Sequence, residues 1–221
     1  MKKFFSILFV ALMLAACSKN ASMVRYRITI VPVNDPHGPL LIEAAQRVIT
    51  RRVGAMNAKV LQAKTKVNAG QTTLEETLSD PTLESKLTQQ LQGPFSFRLL
   101  RKIEKGETAD LTTPAGEGFK ETGVGERDVE WIAAGTDPAT TTGIVEITFT
   151  DEGQQKLKTL FTQTKGKMLG LFLRRHLVST VKSTGDVKTS ITISGVPSPV
   201  LASIFADDVN VGVHVQFIPT K

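Results

Sequence analysis

The chain has 221 residues, 41% of them hydrophobic and 22% charged, a balance that supports one sizeable domain or two small ones and excludes general disorder. One Trp and one Tyr are too few rings for a base-stacking platform, and the formal charge of +6 is spread among acidic residues, so no nucleic-acid partner is expected.

Residues 1–16 carry Lys2 and Lys3, a short apolar run and small residues before Cys17, the layout of a secretory signal peptide and too short to cross a bilayer as a helix. Leu14-Ala15-Ala16-Cys17 resembles the bacterial lipobox. The resemblance implies cleavage before Cys17, a diacylglycerol on its sulfur and an acylated amine, so that the chain meets the membrane through N-terminal acyl chains. Burial at about 0.8 kcal/mol per methylene makes such an anchor stable. Removal of 1–16 takes two lysines and leaves +4. Cys17 is the single cysteine, which excludes a disulfide within the chain and a cysteine zinc site. Residues 17–24 read as the lipidated tether. Ser18 stands where enterobacterial inner-membrane lipoproteins carry aspartate, which favours the outer membrane and a periplasm-facing envelope location.

Residues 25–33 alternate with Tyr26, Ile28 and Ile30 on one face, the period of a half-buried strand, and Pro32 suits an edge or strand end. After a turn at 34–39, a helix over 40–55 places Leu41, Ala44, Ala45, Val48 and Ile49 on a core stripe, with Arg47 and Arg51 outside. Residues 58–68 read as a polar-faced strand. Asp80-Pro81 starts a helix bearing Leu83, Leu87 and Leu91, and 95–100 is the next strand. This order suits helices on one face of a sheet, an α+β layer.

Residues 102–140 are rich in Gly and Pro and read as loops, with 128–134 alone structured. Gly116-Glu-Gly118 and Gly123-Val-Gly125 complete no phosphate-loop pattern, so no nucleotide is expected. Residues 143–150 then alternate Val145, Ile147 and Phe149 with polar residues. Thr150, Asp151 and Glu152 suit a helix N-terminus, Leu157, Leu160 and Phe161 form its stripe, and Gly166 ends it. The continuous apolar run 169–173 suits a central strand, and Arg174, Arg175 and His176 end it as a candidate basic contact for an acidic partner or lipid headgroup. A polar connection over 181–188, a strand at 190–194, a short helix at 200–205 and an alternating strand at 209–217 complete the chain, with His214 on the exposed face of that last strand.

The runs TFTDEGQQKL, TKGKMLGLFL and SITISGVPSPVLASIF resemble the periplasmic first domain of the SecD protein-export subunit family. RRVGAMN and FSFRLL resemble the basic helix end and a following strand of that family. The resemblance implies an α+β fold, a ferredoxin-like base layer over 25–103 and 196–221 with an inserted α+β head over 104–195. It also implies a final strand that returns to the base. The family's double-glycine turn is replaced here by Ser183-Thr-Gly-Asp-Val187, and no apolar span of transmembrane length follows, so no membrane motor is expected.

Among groups that carry chemistry, His37, His176 and His214 have no partner at metal-ligand spacing, and Ser179-Thr-Val-Lys182 lacks the companion motifs of a Ser-x-x-Lys hydrolase. Asp207 and Asp208 read as capping or water-facing residues. No metal, cofactor or catalytic residue is expected. The candidate polypeptide-binding edge is Val187, Thr189, Ile191 and Ile193, a β-prone run flanked by Lys182, Gly185 and Lys188, the charges and breaks that keep an edge from self-pairing. The expected function is non-catalytic binding of unfolded polypeptide or of export or envelope proteins. The alternative is an interaction lipoprotein that kept the fold without a role in export.

Overall fold

The computed structural model describes residues 21–32, 35–68, 71–186 and 188–220, so the expectations placed on Cys17 and Val187 lie outside the described residues. The chain divides into two compact units, Met1–Gly93 with Gln216–Lys221, and Pro94–Val215. The boundaries expected at 103/104 and 195/196 both fall inside the second unit.

The first unit contains β1 (Ser22–Ile30), α1 (Gly38–Ala55), β2 (Val60–Asn68), β3 (Gln71–Leu78) and α2 (Glu84–Gln92), and β12 (Val215–Thr220) completes its sheet. The strand order is β12-β1-β3-β2. Alternation along β1 and β3 puts Val24, Tyr26, Ile28, Leu74 and Leu78 on the buried face. α1 buries Leu41, Ala44, Ala45, Val48, Ile49 and Val53 at helical spacing. The Tyr26 ring meets Phe217 edge-on at 6.0 Å, and its hydroxyl shares a 2.9 Å hydrogen bond with Thr88 of α2. Asp80 caps the turn before α2 by accepting from the Thr82 backbone at 2.9 Å.

The sequence reading missed β3, an interior strand of this sheet. Thr-Thr-Leu-Glu-Glu-Thr offers one large apolar residue in six, because a core-facing position is held by a carboxylate: Glu76 is 0% exposed. Burial pushes its pKa up to about 7, and neither carboxylate oxygen finds a hydrogen-bond partner among the described residues.

The second unit contains β4 (Phe97–Lys102), β5 (Leu111–Thr112), β6 (Gly118–Gly125), β7 (Val129–Thr136), β8 (Gly143–Phe149), α3 (Asp151–Gln163), β9 (Met168–Leu173), β10 (His176–Lys182), β11 (Ser190–Val196) and α4 (Pro199–His214). Two sheets run in the orders β10-β9-β4-β6-β5 and β11-β8-β7. The expected strand, helix and strand from β8 to β9 are present. Thr150 accepts from Gly153 N at 3.1 Å to cap α3, which buries Leu157, Leu160 and Phe161. β9 lies between β10 and β4 with Leu169 to Phe172 buried on both faces, as its unbroken apolar run requires. The core joins Phe97, Leu99, Ile147, Phe149, Leu157, Leu169 and Val209.

The second unit departs from the sequence expectations at several places. Residues 102–140 are not mainly loop: β6 spans Gly118–Gly125, and Gly118 is needed in that strand because a Cβ there would come within 2.4 Å of Ile103. Residues 176–182 form β10, so the polar connection expected from 181 starts later; polar His176, Thr180 and Lys182 share the exposed positions with apolar Val178, and the alternate residues are only partly buried, leaving a weak period. Most consequentially, 209–214 is helix. α4 runs unbroken from Pro199 to His214, so the short helix at 200–205 continues and the last strand begins at Val215. Val209, Val211, Val213 and Val215 alternate as a strand would, but Ala202, Ala206, Val209 and Val213 also recur at helical spacing, and packing selects that period. Gly212 lets Phe95 seat against the helix, since a Cβ would meet that ring at 2.2 Å. His214 is therefore 6% exposed in the last helical turn, not on an open strand face. Asp207 is likewise buried within α4 instead of capping an end. β4 also departs from expectation by belonging to the second unit's larger sheet.

Candidate polypeptide-binding edge and groove

The three-stranded sheet of the second unit has two unlike margins. At the β7 margin, Asn210 of α4 accepts from Ile132 N at 2.9 Å and donates to Ile132 O at 2.8 Å. A buried side chain thereby satisfies backbone groups that a neighbouring strand would otherwise take. At the β11 margin the strand pairs, among the described residues, on the β8 side only. Its ladder runs from Ser190 opposite Thr148 to Ile193 opposite Val145, slips, and resumes at Val196 opposite Gly143. The slip leaves Ser194 and Gly195 without β8 partners, and Gly195 takes φ +72°, a left-handed conformation suited to glycine in a bulge.

Beside this slip lies a groove of about 420 Å³. Val178 and Ser179 of β10 form one wall, Ile193 to Pro197 a second, and Leu201, Ile204 and Phe205 of α4 a third. Val178 is 46% and Leu201 48% exposed, so apolar surface and unladdered backbone meet water together. Strand addition in general uses such a combination, with main-chain groups bonding to an open edge and alternate side chains entering pockets beside it.

The predicted edge residues are distributed differently from the sequence reading. Ile191 is 4% exposed and Ile193 packs partly against the same core, while Thr189 is exposed just before β11. Only the backbone and the outward Thr192 and Ser194 remain available along this run. Arg174 and Arg175 follow the end of buried β9 directly and, with His176, form the exposed tip of the β9–β10 hairpin. Arg174 and Arg175 both take positive φ, 47° and 71°, the conformation of a tight hairpin turn. Arg174 lies 5.9 Å from the Phe95 ring centroid and donates its backbone N–H to Ser96 O at 2.9 Å. The groove residues Val178 and Leu201 were not found from sequence. Val178 belongs to the unrecognised β10, and Leu201 lies in the short helix read at 200–205, where no local pattern marks it as exposed.

A second groove of about 470 Å³ is lined by Arg101, Glu121, Thr122, Lys156 and neighbouring residues. Its charges are largely paired: Arg101 makes two bonds to Glu107, at 2.8 and 2.7 Å, and Lys156 reaches Asp128 at 2.8 Å and Glu152 at 2.9 Å. The Arg101 guanidinium holds the Glu107 carboxyl down to about 2. Among the described residues no group of three or more His, Cys, Asp or Glu is placed to hold a metal, and no helix is long and apolar enough to cross a membrane.

These features define a mixed α+β protein with several antiparallel sheets and an open, apolar-flanked sheet edge. The chain is similar to solved structures of SecDF. SecDF in its super-membrane-facing form aligns over 96% of this chain and 33% of its own, at 17% identity and a TM-score of 0.49. A structure of SecDF described as a membrane component that enhances protein export aligns over 89% of this chain and 99% of its own, at 18% identity and a TM-score of 0.47. SecDF from Thermus thermophilus aligns over 98% of this chain and 35% of its own, at 15% identity and a TM-score of 0.45. The chain thus spans about a third of the first and third of these proteins. No protein-family model matches the chain, and no curated protein matches it in sequence.

Proposed function

We propose that this protein is a lipid-anchored, periplasm-facing envelope protein, with the outer membrane favoured, that holds extended polypeptide at the β11 edge without catalysis. The first unit is read as a ferredoxin-like base, a reading supported by its strand, helix, strand, strand, helix, strand order and the β12-β1-β3-β2 arrangement. The second unit is the binding head. The observation that carries the reading is the asymmetry of the small sheet: α4 closes the β7 margin through Asn210, whereas the β11 margin carries unladdered backbone beside an apolar groove. The sequence resemblance to the SecD periplasmic domain fits clients or partners drawn from export or envelope proteins. Backbone pairing reads little sequence, so affinity is broad and micromolar.

The test uses the chain from Ser18 and a fluorescein-labelled apolar heptapeptide, read by anisotropy without metal or nucleotide. Val178→Asp combined with Leu201→Asp puts two carboxylates on exposed groove walls and should weaken binding at least tenfold while leaving the melting temperature unchanged. Equal binding by the folded variant and the parent overturns the groove assignment.

A further inference from the structure

We infer that the face of the first unit's sheet turned away from Tyr26 and Leu74 is a docking surface for anionic lipid headgroups. Strand pairing fixes its membership. Arg25 lies opposite Glu75, which lies opposite Lys64; Arg27 lies opposite Thr73, which lies opposite Lys66; and Met23 lies opposite Thr77, which lies opposite Gln62. Because successive residues alternate between faces, all of these share one side of the sheet.

Among the described residues that side carries four cations, Arg25, Arg27, Lys64 and Lys66, and one carboxylate, Glu75. Glu75 is shared by Arg25 at 3.2 Å and Lys66 at 2.9 Å, so the single acid is already engaged twice. Arg27 and Lys64 meet no acidic partner among the described residues. Met23, Arg25, Gln62, Lys64 and Lys66 are exposed, and Met23, at 47% exposure, adds an apolar side chain at the start of β1. A sheet spreads these groups over an area, which suits a planar layer of negative charge, where each Lys or Arg contributes additively within a Debye length of about 8 Å.

The favoured occupant is a lipid layer because β1 begins at Ser22, five positions after Cys17. Five residues span at most about 17 Å, so an acylated Cys17 holds this face within reach of the headgroups. The inference rests on the lipid-anchored reading only for that proximity. Its test omits the acyl chains, and it fails or succeeds apart from both the Cys17 assignment and the polypeptide-binding groove.

The non-acylated chain from Ser18 retains every described residue. It is floated with vesicles of phosphatidylglycerol and phosphatidylcholine at about 3:7 and with phosphatidylcholine alone, at low salt and at about 0.5 M salt. Binding to the anionic vesicles only, released by salt, is the expected result. The double variant Arg27→Gln, Lys64→Gln, which touches neither partner of Glu75, should bind about thirtyfold more weakly. The charge-matched double variant Lys105→Gln, Lys165→Gln, at exposed positions of the second unit, should bind as the parent does. Equal flotation with neutral vesicles, no flotation at all, or equal losses from both double variants would each overturn the inference, and the second outcome would turn attention to an acidic protein instead.

Discussion

Replacing Glu76 tests the reading of the first unit's core. Its side chain occupies an inward position of β3 between Leu74 and Leu78, is 0% exposed, and has a pKa pushed by burial from 4.5 up to about 7. Below about pH 4.5 the carboxyl is protonated in both folded and unfolded chains, and this group then costs the fold least. As pH rises, the unfolded chain loses its proton first, so stability falls until about pH 7, where the folded state also ionises. The interval corresponds to about 3 kcal/mol, at 1.36 kcal/mol per tenfold. Glu75 has the opposite sign: Lys66 and then Arg25 hold its pKa below 4.5, so its contribution is lost only at more acid pH. Hydrogen exchange on peptides covering β1 and β3, corrected for intrinsic rates, is the suitable assay, because Trp131 lies in the second unit and reports on that unit instead. The parent should lose roughly a hundredfold in protection between pH 4.5 and 7.5, and Glu76→Gln should lose far less. Glu76→Leu, which continues the apolar row, should be the most stable of the three at pH 7.5. Parallel pH profiles for the parent and Glu76→Gln would refute the argument.

Asn210→Ala removes the two bonds that satisfy Ile132 N and O and leaves both groups buried, which should destabilise the second unit by about 2–4 kcal/mol in denaturant titrations followed by Trp131 fluorescence; a loss below about 0.5 kcal/mol would show that water replaces the amide freely. Cys17→Ala should abolish lipoprotein-type cleavage, so that a larger precursor replaces the mature membrane-bound band on immunoblots, whereas identical processing and fractionation would contradict lipidation.

Elements whose sequence period matched their burial were legible in advance. α1, β8, α3 and β9 each expose one stripe, one face or an unbroken apolar run, and each formed as read. The failures share a physical cause, in that a tertiary partner replaced the local signal. β3 carries a carboxylate where its period required an apolar residue, β6 uses Gly118 for close approach where glycine suggested a turn, and the valines of α4 took the helical period only because β7 and β8 lie beneath them. Strand β11 was legible as a β-prone run through Ile191 and Ile193, but its bulge at Ser194 and Gly195 was not, because the slip depends on pairing with β8. The groove required β10 and α4 to be placed together, which no local pattern encodes.

The central claim, backbone pairing at the β11 margin, is tested most directly by hydrogen exchange of the segment Ser190–Val196 with and without saturating apolar heptapeptide. Added strand hydrogen bonds should slow exchange within that segment and leave β7 amides beside Asn210 unchanged. Peptide binding with unaltered exchange across Ser190–Val196 would contradict the claim.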